Sequence, residues 1–305
     1  PVIVDEAHGA HFGFHPNLPI SAMEAGADMS AASVHKLIGS LTQSSILLVN
    51  SDLVEDRKVK AAMNLTQTTS PSYPLMASLD VARQQMALKG KKMLGKAIEL
   101  CERGRRQLNN IDGVYVMGHD VEDTDGCFAY DPTKLVINVR ELGLSGFEME
   151  KLLKYEHHIQ VEMSDLYNVL AIGAIGDTDK SIKALVEAVR DIAKNHRRKN
   201  VAKFSCDLPE NQELVASPRD AFYSEQRQMP LEDAEGEISA EMLMAYPPGI
   251  PIICPGERIT QDVIDYAKTL RMEGCHLQGT EDPEGKVIKV LTDVQEYQEK
   301  IKKVV

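Results

Sequence analysis

The sequence has 305 residues, of which 43% are hydrophobic, and a formal net charge of −12. This length fits two or three domains, and no apolar run is long enough to cross a bilayer. The negative charge disfavours nucleic acid and anionic membrane as partners. Five scattered cysteines without a CxxC pair argue against a disulfide framework or a metal site, so we expect reduced thiols in the cytoplasm.

The first 49 residues combine an acid and a lysine at the ends of predicted strands. Residues 2–4 form an apolar run that predicts a buried parallel strand, and Asp5 follows at its carboxyl end, where open α/β sheets place ligands. Lys36 precedes a second apolar run, residues 46–49. Pyridoxal 5'-phosphate (PLP) suits such a pair, because it offers an aldehyde to a lysine and a pyridine nitrogen to an acid.

Several motifs follow one another along the chain. They are Asp5-Glu6-Ala7-His8-Gly9-Ala10-His11, Ser33-Val34-His35-Lys36, Thr42-Gln43-Ser44, Thr68-Thr69-Ser70-Pro71-Ser72-Tyr73, Ala245-Tyr246-Pro247-Pro248-Gly249-Ile250-Pro251 and Cys254-Pro255-Gly256-Glu257. In this order and spacing they resemble the Orn/Lys/Arg decarboxylase family of fold-type I PLP enzymes, in its short bacterial arginine decarboxylase-like form. The resemblance covers nearly the whole chain.

The resemblance implies an α/β fold. Residues 1–112 would be the C-terminal part of a fold-type I (aspartate aminotransferase-like) large domain with a linker helix. A small α+β domain would cover 113–200, a linker 201–216, and a C-terminal α+β domain 217–305. The family places the phosphate cradle and the ring-stacking side chain upstream of Asp5. Only four residues precede Asp5, so we expect the N-terminal part of the same protein to be missing from this sequence.

Local patterns predict the elements of the first part of the chain. Ser21 is a candidate N-cap for a short helix over 22–25, and residues 28–32 suit a strand before the lysine. Helices are predicted over 53–63 and 75–108, and glycines at 90, 95 and 104 are candidate breaks or kinks in the second.

The remainder alternates strand and helix signals. Strands are predicted over 114–117, 134–139, 159–163, 169–172 and 287–291, with an apolar stretch over 238–246 and an edge strand over 250–254, where Pro251 interrupts the ladder. Helices are predicted over 146–155, 180–195 and 261–272. Ser145 begins an S-x-x-E capping box, Ser217-Pro218 starts a further helix, and Thr260 is a candidate cap.

The resemblance assigns roles to the residues of the first motifs. Lys36 would form the Schiff base with PLP, and Asp5 would hold the protonated pyridine nitrogen. Ser33 and His35 would contact the phosphate, and the small Ala7 would let the ring pack close to its strand. His8 would contact cofactor or substrate, or else be a structural histidine. His11 and His15 are interpreted as structural or surface residues, and no metal is expected.

Two later sites have two readings each. Thr69 and Ser70 would approach the cofactor phosphate of a partner subunit, or form a capped turn made rigid by proline. Glu257 would face the mouth of the active site and bind a basic substrate tail, or be an acid at a helix N-terminus.

The function implied is PLP-dependent decarboxylation of a small basic amino acid to its amine and CO₂, in polyamine-type metabolism. Arginine is favoured over lysine and ornithine, and either His35 or Lys36 would protonate Cα after CO₂ leaves. The family implies a homodimer or higher oligomer. The alternatives are an aminotransferase or aldolase on the same fold, or a catalytically incomplete fragment that acts only in assembly.

Overall fold

The structure is a computed structural model that describes residues 1–67, 69–199, 208–246 and 249–292. The helices in these ranges are α1 (Val34–Leu37), α2 (Asp56–Thr66), α3 (Tyr73–Leu108), α4 (Gly146–Tyr155), α5 (Asp179–Asn195), α6 (Pro218–Tyr223) and α7 (Gln261–Met272). The strands are β1 (Ile3–Asp5), β2 (Met29–Ala32), β3 (Ile46–Val49), β4 (Tyr115–Val116), β5 (Lys134–Asn138), β6 (Met163–Ser164), β7 (Asn168–Ile172), β8 (Gln226–Pro230), β9 (Leu243–Ala245), β10 (Ile250–Ile253), β11 (Leu277–Gln278) and β12 (Val287–Leu291).

The chain divides into two compact units. The first unit comprises residues 1–136 and 171–191, and the second unit comprises 137–170 and 192–305. The domain boundaries predicted from the sequence stay predictions.

The sheet of the first unit has the order β1-β2-β3. Strand β1 runs parallel to β2, with Asp5 opposite Ala31, and β2 runs antiparallel to β3. The predicted parallel strand is therefore confirmed, but its predicted burial is wrong, because Val2 and Ile3 are 59% and 64% exposed. The reason is that β1 is an edge strand in the described sheet, so apolar side chains at its start have few neighbours.

Helix α3 is the longest element of the first unit, and it runs unbroken through all three of its interior glycines. The predicted break is wrong because these glycines serve close packing. A Cβ on Gly104 would lie 2.9 Å from Ile182, one on Gly90 would lie 3.3 Å from Phe14, and one on Gly95 would lie 3.2 Å from His15. Tertiary contact thus offsets the low helix propensity of glycine.

A small apolar core fixes the start of α1. Val34 and Leu37 are buried in a cluster with Leu18, Met86 and Leu94. Helix α1 turns these two side chains inward, and Lys36, which lies between them in the sequence, is exposed. The apolar residues on either side of the lysine therefore direct it out of the core.

Several local predictions for the first unit need correction. Residues 22–25 form turns without a regular helix, although Ser21 and Glu24 exchange the reciprocal bonds of a capping box. The helix predicted over 53–63 begins at Asp56 and ends at Thr66. Its shift has a local cause, because residues 52–54 form a bend whose N–H groups at Leu53 and Val54 donate to Ser51 Oγ.

The four-stranded sheet has the order β4-β5-β7-β6, with β6 antiparallel to β7. The strand predicted over 159–163 is wrong, since the paired residues of β6 are Met163 and Ser164. Helix α4 matches its prediction. Ser145 Oγ accepts from the Glu148 N–H, and the Glu148 carboxylate accepts from the Ser145 N–H.

The second unit contains a sheet of order β10-β9-β11 and the antiparallel pair β8–β12. Strand β10 lies at the edge, as its proline predicts. Strand β8 was not predicted from the sequence, because it is polar and exposed for most of its length. Helix α7 follows Thr260, but the Thr260 hydroxyl makes no capping bond and is buried without a partner in the described residues. Pro247 and Pro248 lie outside the described residues.

Four of the cysteines can be described, and Cys101, Cys127, Cys254 and Cys275 are free thiols. Burial raises the pKa of the Cys101 thiol to about 12. None of the helices that the structure describes has both the length and the apolar content needed to span a membrane.

Candidate functional site

Lys36 lies at the carboxyl end of β2, in the short helix α1. Its Nζ is 2.9 Å from Nε2 of His8, which stands three residues after the end of β1. A protonated lysine donates across such a contact, and a neutral lysine accepts from a protonated imidazole. The two predicted motifs therefore meet at one hydrogen bond, which is able to carry a proton in either direction.

Asp5 ends β1 and is exposed. One of its carboxylate oxygens accepts from the Ala7 N–H at 3.0 Å, which closes a turn directly after the strand. No basic side chain in the described ranges pairs with this carboxylate. An acid without a cationic partner at this edge of the sheet is available to a cationic ligand group.

His35 is oriented by the segment that follows α1. Its Nδ1 lies 2.9 Å from the carbonyl oxygen of Ser44, and because a carbonyl only accepts, Nδ1 carries the proton of this bond. Ser44 is itself buried, and its hydroxyl donates to the Leu41 carbonyl at 2.5 Å. The neutral imidazole therefore presents Nε2 as its basic nitrogen. Ser33 precedes α1, is half-buried and makes no side-chain capping bond.

The loop between Asp5 and His11, which we call the histidine loop, is tightly folded. At its start, the Glu6 carboxylate accepts from the Ala22 N–H and from Ser30 Oγ, both at 2.8 Å. The Gly9 N–H donates to the Glu6 carbonyl at 2.9 Å. A Cβ on Gly9 would lie 2.4 Å from Glu6 Cγ, so this turn requires glycine. The turn carries Ala7 and His8.

The end of the histidine loop is held by an ion pair that was not predicted from the sequence. His11 is 1% exposed, and its Nε2 lies 3.1 Å from the Asp131 carboxylate. The same carboxylate accepts from Thr133 Oγ1 at 2.7 Å and from Lys134 Nζ at 2.6 Å. The structural interpretation of His11 is supported. Tyr130-Asp131-Pro132 carries a turn signal in the sequence, but nothing in it indicates His11 as the partner.

Asp131 is charged in its buried setting. Burial alone would raise the pKa of its carboxyl, but the hydrogen bond from His11 and the charge of Lys134 outweigh this effect and hold the pKa well below its usual range. Arg105, also buried, fixes the same turn by donating to the carbonyl oxygens of Pro132 and Lys134, at 3.3 and 2.8 Å.

A cavity of about 600 Å³ adjoins the histidine loop. Its polar lining includes Asp5, Glu6, His8, Asp131 and Lys134, and its apolar lining comes mainly from the first strand and from residues 20–27. Lys36 does not line it. The cavity therefore does not by itself define the place of a ligand that reaches the lysine.

The remaining predicted site residues lie elsewhere in the chain. Thr69 and Ser70 are exposed on the segment between α2 and α3, and they form no hydrogen bond with Lys36 or Asp5. Their predicted role at a partner's cofactor stays a prediction.

Glu257 belongs to the second unit, and the reading of it as a helix N-terminal acid is wrong, since α7 begins four residues later at Gln261. Its carboxylate instead accepts from the Cys254 N–H at 2.7 Å and closes its own turn. Its predicted contact with substrate stays a prediction.

The fold and this cluster define an α/β protein that presents a lysine, an unpaired carboxylate and two histidines at one end of a sheet. The chain belongs to the Orn/Lys/Arg decarboxylase family. Residues 1–181 match the family's major domain, and residues 202–295 match its C-terminal domain. The family resemblance drawn from the motifs is therefore confirmed.

Two relatives illustrate the similarity. The chain is 46% identical over 300 residues to an arginine decarboxylase of Bacillus anthracis, covering 97% of this chain and 60% of that protein. It is 45% identical over 300 residues to an arginine decarboxylase of Bacillus subtilis, covering 98% of this chain and 61% of that protein. The chain thus spans about 60% of the length of these relatives.

The fold is also that of solved structures. The lysine decarboxylase of Francisella novicida superposes with a TM-score of 0.74 at 23% identity, covering 95% of this chain and 53% of that one. This likeness confirms the predicted α/β fold class.

Proposed function

We propose that the protein to which this chain belongs decarboxylates a basic amino acid with the help of PLP, and that arginine is preferred over lysine and ornithine. The observation that carries the proposal is the hydrogen bond between Lys36 and His8 beside the unpaired Asp5. Relatives at 45% and 46% identity that bear the name arginine decarboxylase support the choice of arginine.

The residues present fit PLP. A lysine amine, a carboxylate without a basic partner and a hydroxyl free of capping bonds match its aldehyde, its pyridine nitrogen and its phosphate. Lys36 would hold the aldehyde carbon and Asp5 the ring nitrogen, with Ala7 against the ring and Ser33 and His35 toward the phosphate. When bound, PLP supplies an electron sink for the electron pair that remains on Cα as CO₂ departs.

The chain's own groups then stabilise charge and transfer protons. The negative charge of Asp5 favours a protonated ring nitrogen, because an opposite charge nearby stabilises the charged form of a titratable group. Two groups are able to return a proton to Cα, namely Lys36, which is hydrogen-bonded to His8, and His35, whose tautomer Ser44 fixes.

A basic substrate needs an acid at its far end. Glu257 is the candidate that the family resemblance supplies, and its turn is held in place by several backbone bonds. Gly256 N–H donates to the Ser239 carbonyl at 2.7 Å, and the Gly256 carbonyl accepts from Val215 and Ala216 at 2.8 and 3.1 Å. A net charge of −12 also favours the approach of a cation.

We further propose that the protein acts as a homodimer or higher oligomer in the cytoplasm. Helix α2 has no buried residue, and exposed apolar side chains also lie on β1 and β3. Exposed apolar side chains grouped on neighbouring elements are typical of protein–protein contact surfaces. Sedimentation at several protein concentrations checks this; a monomer at every concentration would contradict it.

The central experiment measures products. The purified protein with added PLP is incubated separately with arginine, lysine and ornithine, and both CO₂ and the amine are quantified, with Lys36→Arg as the matched inactive control. We expect CO₂ and amine to form in equal amounts, and we expect the reaction to be fastest with arginine. Formation of a 2-oxo acid or an ω-semialdehyde without CO₂, with PLP converted to pyridoxamine phosphate, would indicate an aminotransferase. Release of glycine and an aldehyde without CO₂ in a parallel incubation with a β-hydroxy amino acid such as threonine would indicate an aldolase. No turnover by the loaded protein would leave only a role in assembly.

A further inference from the structure

The histidine loop is held at both of its ends. Glu6 anchors the start through bonds to Ala22 and Ser30, and His11 anchors the end through Asp131. Between the anchors, backbone bonds run from Gly9 N–H to Glu6 and from Phe12 N–H to Gly9, at 2.9 and 3.0 Å. His8 lies in this short span, with its imidazole on the Lys36 amine.

The second anchor, the pair of His11 and Asp131, places two polar side chains in a buried site. His11 is 1% exposed, and Asp131 is nearly as well buried, with its side chain 9% exposed. A buried carboxylate without its partners is costly, so the arrangement persists only because His11, Thr133 and Lys134 all donate to it. Arg105 in turn secures the backbone around Asp131. The turn at residues 130–134 is thus held rigidly, and it gives His11 a fixed partner.

We propose that His11 and Asp131 form a positioning pair that keeps the histidine loop in place, so that His8 stays within hydrogen-bond distance of Lys36. The inference rests on the proposed function, in that Lys36 is the reacting lysine. Neither member of the pair forms a hydrogen bond or an ion pair with Lys36. Its effect passes through two consecutive tight turns, residues 6–9, which carry His8, and residues 9–12, which carry His11.

Loss of the pair should therefore change the chemistry more than the binding of substrate. A displacement of about 1 Å of a group that serves the reacting atoms lowers rate by about 100-fold. Substrate affinity depends on other groups and should stay within about twofold, because uniform binding energy does not change. A purely structural role would lower the amount of folded protein and leave kcat per folded molecule as it was.

The test compares three variants of the full chain. His11→Leu removes the donor to Asp131 at similar volume, and His11→Gln restores a donor at a comparable reach. His196→Leu is the matched control, because it makes the same substitution in another histidine–carboxylate pair, with Glu156 at 3.3 Å, in the second unit. Asp131→Asn serves as the second variant if His11→Leu does not fold.

Two readouts are taken. Hydrogen exchange is followed on a peptide covering residues 6–12, with a peptide from α4 as reference, and kcat and KM are measured with arginine. We expect His11→Leu to speed exchange of the loop peptide at least about tenfold, to leave α4 unchanged, and to lower kcat by about 100-fold with KM within about twofold. His11→Gln should recover most of both effects, and His196→Leu should resemble the wild type in the exchange of the loop peptide and in kcat.

A further arm tests whether the effect passes through His8. In the double variant His8→Gln with His11→Leu, kcat should be no lower than in the worse single variant. Once the His8 imidazole is gone, loss of its positioning has no further effect on kcat. Multiplying effects would overturn the proposal, and so would unchanged exchange in folded His11→Leu. The exchange arm needs no turnover. If the wild type decarboxylates nothing, the proposed function fails while the anchoring of the loop is still decided.

Discussion

The ε-amine of Lys36 and Nε2 of His8 lie 2.9 Å apart, although the two residues belong to motifs that follow different strands. The parallel pairing of β1 and β2 brings the carboxyl ends of both strands to one edge. Among the lysines in the described ranges, Lys36 is the one that the structure places beside an imidazole at the predicted ligand end of the sheet.

Lys36 should be the residue that binds PLP covalently. Borohydride reduction of the protein incubated with PLP should fix one cofactor on the peptide that contains Lys36. Lys36→Arg should abolish this label and lower decarboxylation by at least about 100-fold, since arginine cannot lose its proton. Lys58→Arg, at an exposed lysine paired with Glu55, is the control and should behave as wild type. Label on another lysine would refute the assignment.

Asp5→Asn should keep the fold and lose activity. The amide oxygen of asparagine is still able to accept from the Ala7 N–H, so the free energy of unfolding should change by less than about 0.5 kcal/mol. The lost charge should lower kcat by at least about 100-fold. Paired measurements of kcat and of the unfolding midpoint check this, with exposed Asp52→Asn as control. Activity near that of the wild type would exclude the proposed partner of the ring nitrogen.

Glu257→Gln should weaken binding of the basic substrate without altering that of PLP. Glutamine retains an oxygen to accept from the Cys254 N–H, so the turn should survive and only the charge is removed. KM for arginine should rise by at least about tenfold, as expected for a charge-assisted bond of about 1.5 kcal/mol or more. An unchanged KM would restrict Glu257 to closing its turn.

Gly256→Ala should destabilise the second unit far more than Gly236→Ala. Both glycines have positive φ, 91° and 82°, but a Cβ on Gly256 would lie 2.1 Å from the Ala216 carbonyl oxygen, whereas nothing lies within 4 Å of one on Gly236. We expect a loss of about 3 kcal/mol or more at Gly256, and of about 1 kcal/mol at Gly236. Denaturant unfolding of both variants provides the measurement; equal losses would count against the close approach.

Asp131 should contribute stability that depends on pH. The pKa of the Asp131 carboxyl in the folded protein is lowered by His11 and Lys134 despite burial. Its contribution to stability is therefore fully present at a pH above 3.8, the ordinary pKa of the carboxyl, and is lost as the pH falls below that value. Asp131→Asn should therefore be less stable than the wild type at pH 7, and the difference should shrink below about pH 4. Urea unfolding from pH 7 to pH 3 checks the trend, and a difference independent of pH would contradict it.

The sequence by itself determined the local elements and the family. The capping box of α4 could be predicted because Ser145 and Glu148 are three residues apart and satisfy each other's backbone groups. The long helix α3 and the strand β12 follow from their apolar patterns. The spacing of the Asp5 and Lys36 motifs was enough to place an acid and a lysine beside the same sheet edge.

Tertiary structure alone decided which distant residues meet. Nothing near His11 indicates Asp131, because a buried ion pair depends on which turn packs against the histidine loop. The polar β8 is a strand because it pairs with β12 through an antiparallel hydrogen-bond ladder. Gly104 is found inside a helix because Ile182 packs closely against it. These features arise from packing between segments far apart in the chain, and a local pattern of side chains carries no record of such contacts.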